Sequence, residues 1–202
     1  QLKKLSIKQD CEISVCVVEK GSEVGAHILS GAVLESRALD ELIPDWENRE
    51  APLNTPVTSE KILFLSETKE QKIPSIFLPP AMHNKGNYII SLGNFCRWLA
   101  NQAEELGDEI YPGFAASEVL YNNDGAVIGI ATGDMGVQAD GSEGPNFERG
   151  MELHAKYTFF SEGCRGHLGK QLKNKFNLED NVQIQTYGIG IKELWEINPA
   201  KH

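Results

Sequence analysis

The chain has 202 residues, 41% hydrophobic and 24% charged, which suits one large domain or a big piece of one and sets aside a disordered or fibrous polymer. Its formal net charge of −10 leaves no basic footprint for neutralising nucleic-acid phosphates. No apolar run approaches the roughly 20 residues of a membrane-spanning helix.

No signal or transit peptide is recognisable at the start, where Gln1-Leu2-Lys3-Lys4-Leu5 reads as the tail of a helix. Cys11, Cys16, Cys96 and Cys164 lack paired spacing and read as reduced thiols, which fits an intracellular compartment. Val15-Cys16-Val17-Val18 is a continuous apolar run, expected as a central parallel strand buried on both faces. Glu19-Lys20-Gly21 follows at once. An acid at the carboxyl end of such a strand stands where open α/β sheets bind ligands. A carboxylate only accepts, so two ribose hydroxyls can both donate to it. A solvated turn acid is the alternative.

Residues 22–32 hold two glycines, Gly25 and Gly31, among small residues, with Gly21 just before them, which let backbone approach a ligand closely or simply connect two elements. Ala38 to Leu42 suits a short helix stopped by Pro44, and Ile62 to Leu65 suits a strand. Residues 73–82 are uncharged and apolar with Pro74, Pro79 and Pro80, so they are expected to be irregular. They serve either as a buried connector or as an apolar surface for a lipid or hydrophobic substrate. Leu92, Phe95, Leu99, Ala103 and Leu106 form one helical stripe, closed by Gly107.

Glu109-Ile110-Tyr111 follows as the next strand of a βαβ unit would. Ala116 to Tyr121 and Ala126 to Thr132 flank Asn122-Asn123-Asp124-Gly125, a hairpin turn. Residues 134–150 are expected to be a long polar loop, and Tyr157-Thr158-Phe159-Phe160 a strand. The latter runs into Ser161-Glu162-Gly163 and a helix from about Leu168 to Phe176, again the layout for a ligand over strand ends. Cys164 beside His167 lacks a third orienting group for nucleophilic catalysis. Arg165 reads as a solvated turn residue or a phosphate ligand. Tyr187, Ile189 and Ile191 alternate with glycines as a last strand.

In order along the chain stand Val17-Val18-Glu19-Lys20-Gly21, Gly25-Ala26-His27-Ile28-Leu29-Ser30-Gly31-Ala32, Ala51-Pro52-Leu53-Asn54-Thr55-Pro56-Val57-Thr58, Gly86-Asn87-Tyr88-Ile89-Ile90, Ile110-Tyr111-Pro112-Gly113, Phe147-Glu148-Arg149-Gly150, Ser161-Glu162-Gly163-Cys164 and Gln185-Thr186-Tyr187-Gly188-Ile189-Gly190. With these words, the chain resembles the electron-transfer flavoprotein:ubiquinone oxidoreductase family. The resemblance implies an α/β (mixed α+β) fold: part of an FAD-binding domain of the glutathione-reductase type, interleaved with part of a quinone-binding domain. The expected division is residues 1–52 and 91–176, with a β-meander, for FAD; 53–90 facing quinone and membrane; and 177–202 opening the quinone domain.

It further implies Glu19 and Lys20 at the adenosine end of FAD, Val119 beside the adenine, Ser30, Gly31 and Ala32 near the isoalloxazine, and Gly163 close to the pyrophosphate. The family's iron–sulfur ligands and its Gly-x-Gly-x-x-Gly turn are absent from this sequence, so a piece of a longer enzyme is expected, with no catalytic acid, base or nucleophile and no metal site in this chain. The implied partners are electron-transfer flavoprotein, ubiquinone and a membrane surface met through residues 73–82, with no nucleic acid. The implied location is the matrix side of the mitochondrial inner membrane or the cytoplasmic side of the bacterial one. A related reductase of a polyprenyl lipid, or a truncated chain that binds no cofactor, are the competing readings.

Overall fold

The computed structural model describes residues 1–191 together with 193, 195, 196, 198 and 200. In chain order it forms α1 (Leu2–Lys8), β1 (Cys16–Glu19), β2 (Gly31–Leu34), α2 (Arg37–Leu42), β3 (Ile62–Leu65), β4 (Glu70–Ile73), β5 (Tyr88–Ser91) and α3 (Leu92–Glu105). The second half is strand-rich, with β6 (Glu109–Pro112), β7 (Ala116–Tyr121), β8 (Val127–Thr132), β9 (Met135–Val137), β10 (Glu143–Glu148) and β11 (Glu152–His154), before α4 (His167–Lys175). The fold is mixed α/β, and its described strands form small sheets of two or three. They divide between two compact units, Gln1–Val15 with Val24–Glu109, and Cys16–Glu23 with the described part of Ile110–His202.

In the first unit α3 presents the expected stripe. Ser91 Oγ accepts the backbone N–H of Asn94 at 3.4 Å, starting the helix. Gly107, at φ +85°, ends it in the left-handed conformation that glycine adopts without a Cβ penalty. Phe95 packs with Leu39, Ile43, Trp46, Ala51, Leu53 and Ile90. Trp46 is fixed from both sides: its Nε1–H donates to Asp40 Oδ1 at 2.7 Å, and its ring meets Tyr88 edge-on at 5.7 Å. β2 pairs antiparallel with β5, Gly31 opposite Ser91. This strand pair is not evident in the sequence.

From this unit projects a finger, residues 58–86. At its base Val57 N–H donates to the Asn87 carbonyl and Ile89 N–H to that of Thr55, at 2.9 and 2.8 Å. At its neck the Glu60 carboxylate accepts the Asn84 backbone N–H at 2.9 Å and the Asn84 side-chain amide at 3.2 Å, and lies 3.2 Å from His83 Nδ1. Above the neck β3 and β4 form a hairpin, Ile62 opposite Ile73. Residues 73–82 are irregular, as expected, and run through two single 3₁₀ turns, Ser75–Phe77 and Pro80–Met82. Their apolar side chains are open to solvent: Ile76 is 85% and Phe77 76% exposed, which decides against the buried connector.

In the second unit β1 pairs with β6. Glu109 N–H donates to the Val15 carbonyl and Gly113 N–H to that of Gly21. The bonds climb both strands together, so the pair is parallel. β7, β8 and β11 form an antiparallel sheet ordered β11-β8-β7. Its hairpin turn is held by Asn122 Oδ1, which accepts from the backbone N–H groups of Asp124 and Ala126. Val119, Ile130 and Leu168 form the core, with Val18, Phe160 and Leu172 partly buried against it.

Several expectations are corrected. β1 is not buried on both faces or central among the described residues: Cys16 and Val17 are exposed, and β6 is its single partner. β6 does follow α3 and pair parallel with β1, as the strand after a βαβ helix would, while β5 lies in a different sheet. Residues 134–150 are not one loop, because β9 and β10 pair there as a hairpin. Residues 157–160 are not a strand. The last ladder bond joins Ala155 to Ile128, and β8 begins one residue earlier, so the chain has no partner left. Residues 187–191 form no strand either, and Ile189 and Ile191 are 95% and 89% exposed. Residues 192 and 194 lie outside the described residues.

Candidate functional site

The second unit gathers two acid–glycine turns over one small core. Val18 of β1 packs against the cluster that holds Val119, and the next residue is Glu19. Its Oε1 accepts the Gly21 N–H at 2.6 Å, while the Gly21 carbonyl accepts the Gly113 N–H at 2.7 Å. The turn is thus tied to β6, and the carboxylate is held beside the strand end. Glu19 is half-buried and Lys20 exposed. A carboxylate offers about four lone-pair sites, of which one is used here. The remainder can accept from two neighbouring hydroxyls, the pattern a ribose presents.

Phe160 packs against the same cluster and leads into Ser161-Glu162-Gly163. The sequence layout suggests that the N-terminus of α4 faces a ligand. Instead Glu162 turns back onto it. Its Oε2 accepts the Gly169 N–H at 2.7 Å, its Oε1 accepts the Leu168 N–H at 3.4 Å, and His167 Nδ1 lies 3.5 Å away. A carboxylate of the chain itself thereby satisfies the free N–H groups and the positive end of the helix dipole. Gly166 makes this possible, since a Cβ there would lie 2.3 Å from Glu162 Cβ. At Gly163 φ is +74°, and no heavy atom lies within 4 Å of where its Cβ would stand.

The other named residues fall as follows. Val119 is 3% exposed in β7, so its side chain is core. Ser30, Gly31 and Ala32 lie in the first unit. Ser30 precedes β2, Ala32 packs on the Phe95 core, and a Cβ on Gly31 would lie 2.6 Å from the Ile90 carbonyl. Gly31 is therefore required by strand pairing whatever else it does. Gly25, at φ +84°, likewise allows close approach to Gly93 of α3. His167 faces Glu162, not the exposed Cys164, so no nucleophile–base pair forms. Arg165 lies over the Tyr187 ring at 4.8 Å.

The neck carboxylate Glu60 escaped the sequence reading, because its partners His83 and Asn84 lie more than twenty positions away. Among the described residues, no three His, Cys, Asp or Glu side chains come together to hold a metal ion, and no helix is long and apolar enough to cross a membrane.

No family model matches the chain. Over its whole length it is 62% identical to a probable electron transfer flavoprotein-ubiquinone oxidoreductase of Acinetobacter baylyi, covering 36% of that protein. It is 61% identical to the corresponding oxidoreductase of Pseudomonas aeruginosa, covering 37%. It is 54% identical to the mitochondrial one of Bos taurus, covering 32%. The chain spans about a third of the length of the curated relatives it matches.

Proposed function

We propose that the chain works as part of a flavoprotein oxidoreductase that passes electrons from reduced electron-transfer flavoprotein to ubiquinone, by way of FAD and an iron–sulfur cluster. The observation that carries this reading is identity of 52–62% over essentially the whole chain to proteins named for that activity, in both bacteria and mitochondria. The membrane face would be the matrix side in mitochondria or the cytoplasmic side in bacteria.

FAD, when bound, supplies the one- and two-electron chemistry, and the protein supplies placement. Glu19 accepts from the adenosine ribose, with Lys20 beside it. The Val119 backbone lies along the adenine, and Gly163 lets backbone approach the pyrophosphate. These assignments fit an FAD-binding domain of the glutathione-reductase type, and the fixed carboxylate of Glu19 and the open Gly163 support them. Ser30, Gly31 and Ala32 are assigned to the isoalloxazine on resemblance alone. The finger, with Phe64, Ile76 and Phe77 bare to solvent, lies on the membrane and admits the quinone; its apolar stretch suits shallow, one-leaflet attachment.

The test uses the full-length protein. Reduced electron-transfer flavoprotein and a ubiquinone analogue are supplied, and quinone reduction is followed by absorbance. Turnover that stops when either partner is withheld is expected. Quinone reduction independent of the flavoprotein donor would refute the reading.

A further inference from the structure

The finger differs in charge from the chain that bears it. The chain carries −10, whereas residues 58–86 hold Lys61, Lys69, Lys72 and Lys85 against Glu60, Glu67 and Glu70. The local sign is therefore reversed. Glu60 is moreover occupied at the neck by Asn84 and His83. None of the four lysines makes an ion pair among the described residues. Beside them stand the exposed apolar side chains Leu63, Phe64, Leu65, Ile76 and Phe77. A cleft of about 290 Å³ is lined by Lys72, Ser75 and the Glu60 carboxylate, with Ile62, Ile73, Ile76 and Leu78 among its aliphatic walls. The Glu60 carboxylate is engaged by Asn84 and lies against His83, which leaves one unpaired cation, one hydroxyl and an aliphatic wall for a phosphate ester and the methylenes that follow it.

We propose that the finger docks on anionic phospholipid headgroups, with the Lys72–Ser75 cleft taking one lipid phosphate. The inference rests on the reading of the finger as the membrane-docking element and adds the class of lipid. A neutral quinone or a purely apolar contact leaves unpaired lysines without a role. An anionic surface attracts each of them, by roughly fivefold in affinity per lysine near the headgroups. It repels the acidic remainder of the chain within a Debye length of about 8 Å at physiological salt. The attraction favours the orientation that sets the finger against the surface.

The experiment is flotation of the full-length protein with vesicles of phosphatidylcholine alone, and of phosphatidylcholine mixed with phosphatidylserine, at low and high salt. Binding on the order of tenfold tighter to the mixed vesicles, and lost at high salt, is expected. Lys69→Gln with Lys72→Gln should bring mixed vesicles down to the phosphatidylcholine level. Lys8→Gln with Lys156→Gln, the same charge change at exposed positions outside the finger, should leave binding unchanged, and thermal melting of each variant checks its folding. Equal binding to both vesicles overturns the headgroup proposal and leaves membrane docking standing. Binding to neither overturns docking as well. Binding only to vesicles that contain ubiquinone assigns the cleft to the quinone and overturns the proposal.

Discussion

Two carboxylates illustrate how position decides chemistry at the scale of single residues. Glu19 and Glu162 each stand beside a glycine, yet Glu19 is fastened by one N–H and keeps lone pairs free, while Glu162 spends itself on α4. Glu19→Gln in the full-length protein keeps an acceptor for Gly21 but loses the charge. A hydrogen bond to a charged group contributes about 1.5–3 kcal/mol, so FAD affinity should fall roughly tenfold or more at unchanged melting temperature. Flavin fluorescence titration measures it, and an unchanged affinity removes Glu19 from the site. That Glu19 ends a strand was legible because strand and acid are adjacent in sequence. The role of Glu162 was not, because a side chain folding back across six or seven residues leaves no periodic trace. Glu60 is a third case. The Asn84 N–H, then the His83 and Asn84 side chains, hold its carboxyl below the ordinary glutamate value, against a smaller opposing effect of burial. A carboxylate lowered on folding stabilises above its ordinary range, and loses that contribution as pH falls through the lowered value. Hydrogen-exchange protection of the Asn84 amide should therefore hold from neutral pH down to about 4.5 and fall below it. In Glu60→Gln that pH dependence should vanish; protection equal at pH 3 and 6 in the unmodified protein would show that Glu60 does not hold the neck.

Among the elements, those with a strong local pattern were readable: α3 from its apolar stripe, β7 and β8 from the turn between them, and the irregular residues 73–82 of the finger from their prolines. Those that depend on distant pairing were not. β2 is built from Gly31-Ala32-Val33-Leu34, which reads as loop until β5 is beside it. β10 contains Gly144 and Pro145 and still pairs with β9. The finger and α3 invite a paired measurement. Phe77, 76% exposed, has little packing to lose, so Phe77→Ser should change stability by no more than about 0.5 kcal/mol while weakening vesicle binding. Phe95, 8% exposed in the core, should cost about 3–5 kcal/mol as Phe95→Ala. Denaturant titration of both variants checks the contrast. Comparable losses would mean that the finger packs against a core after all.

For the molecule as a whole, the composition read as an ordinary globular chain and the mixed α/β class came with the family resemblance, but a run of apolar residues overstated burial. Val17 in β1 is 42% exposed, since burial on both faces is a property of neighbours and not of the run itself. The same consideration bears on cofactor binding. The pyrophosphate carries most of the charge of FAD, and a free helix N-terminus is its natural anchor. In this chain the N-terminus of α4 is taken by Glu162. What Glu19 contributes, about 1.5–3 kcal/mol per charged hydrogen bond, is small against the several kcal/mol lost on immobilising a ligand. The 202-residue chain by itself should therefore hold FAD weakly or not at all. Saturable binding at or below micromolar concentration, followed by flavin fluorescence, would contradict this.

The two-stranded hairpin of the finger has a further consequence, for solubility. β3 and β4 pair only with each other among the described residues, so each offers an open edge next to Phe64 and Leu65, 66% and 68% exposed. Such an edge is a template for pairing with a second copy and for precipitation. Lys61, Lys69 and Lys72 and the prolines at 74, 79 and 80 flank it as gatekeepers do. The same lysines that draw the finger to a charged surface keep its bare edges apart in water, so neutralising them to probe the first role will also test how much protein stays in solution.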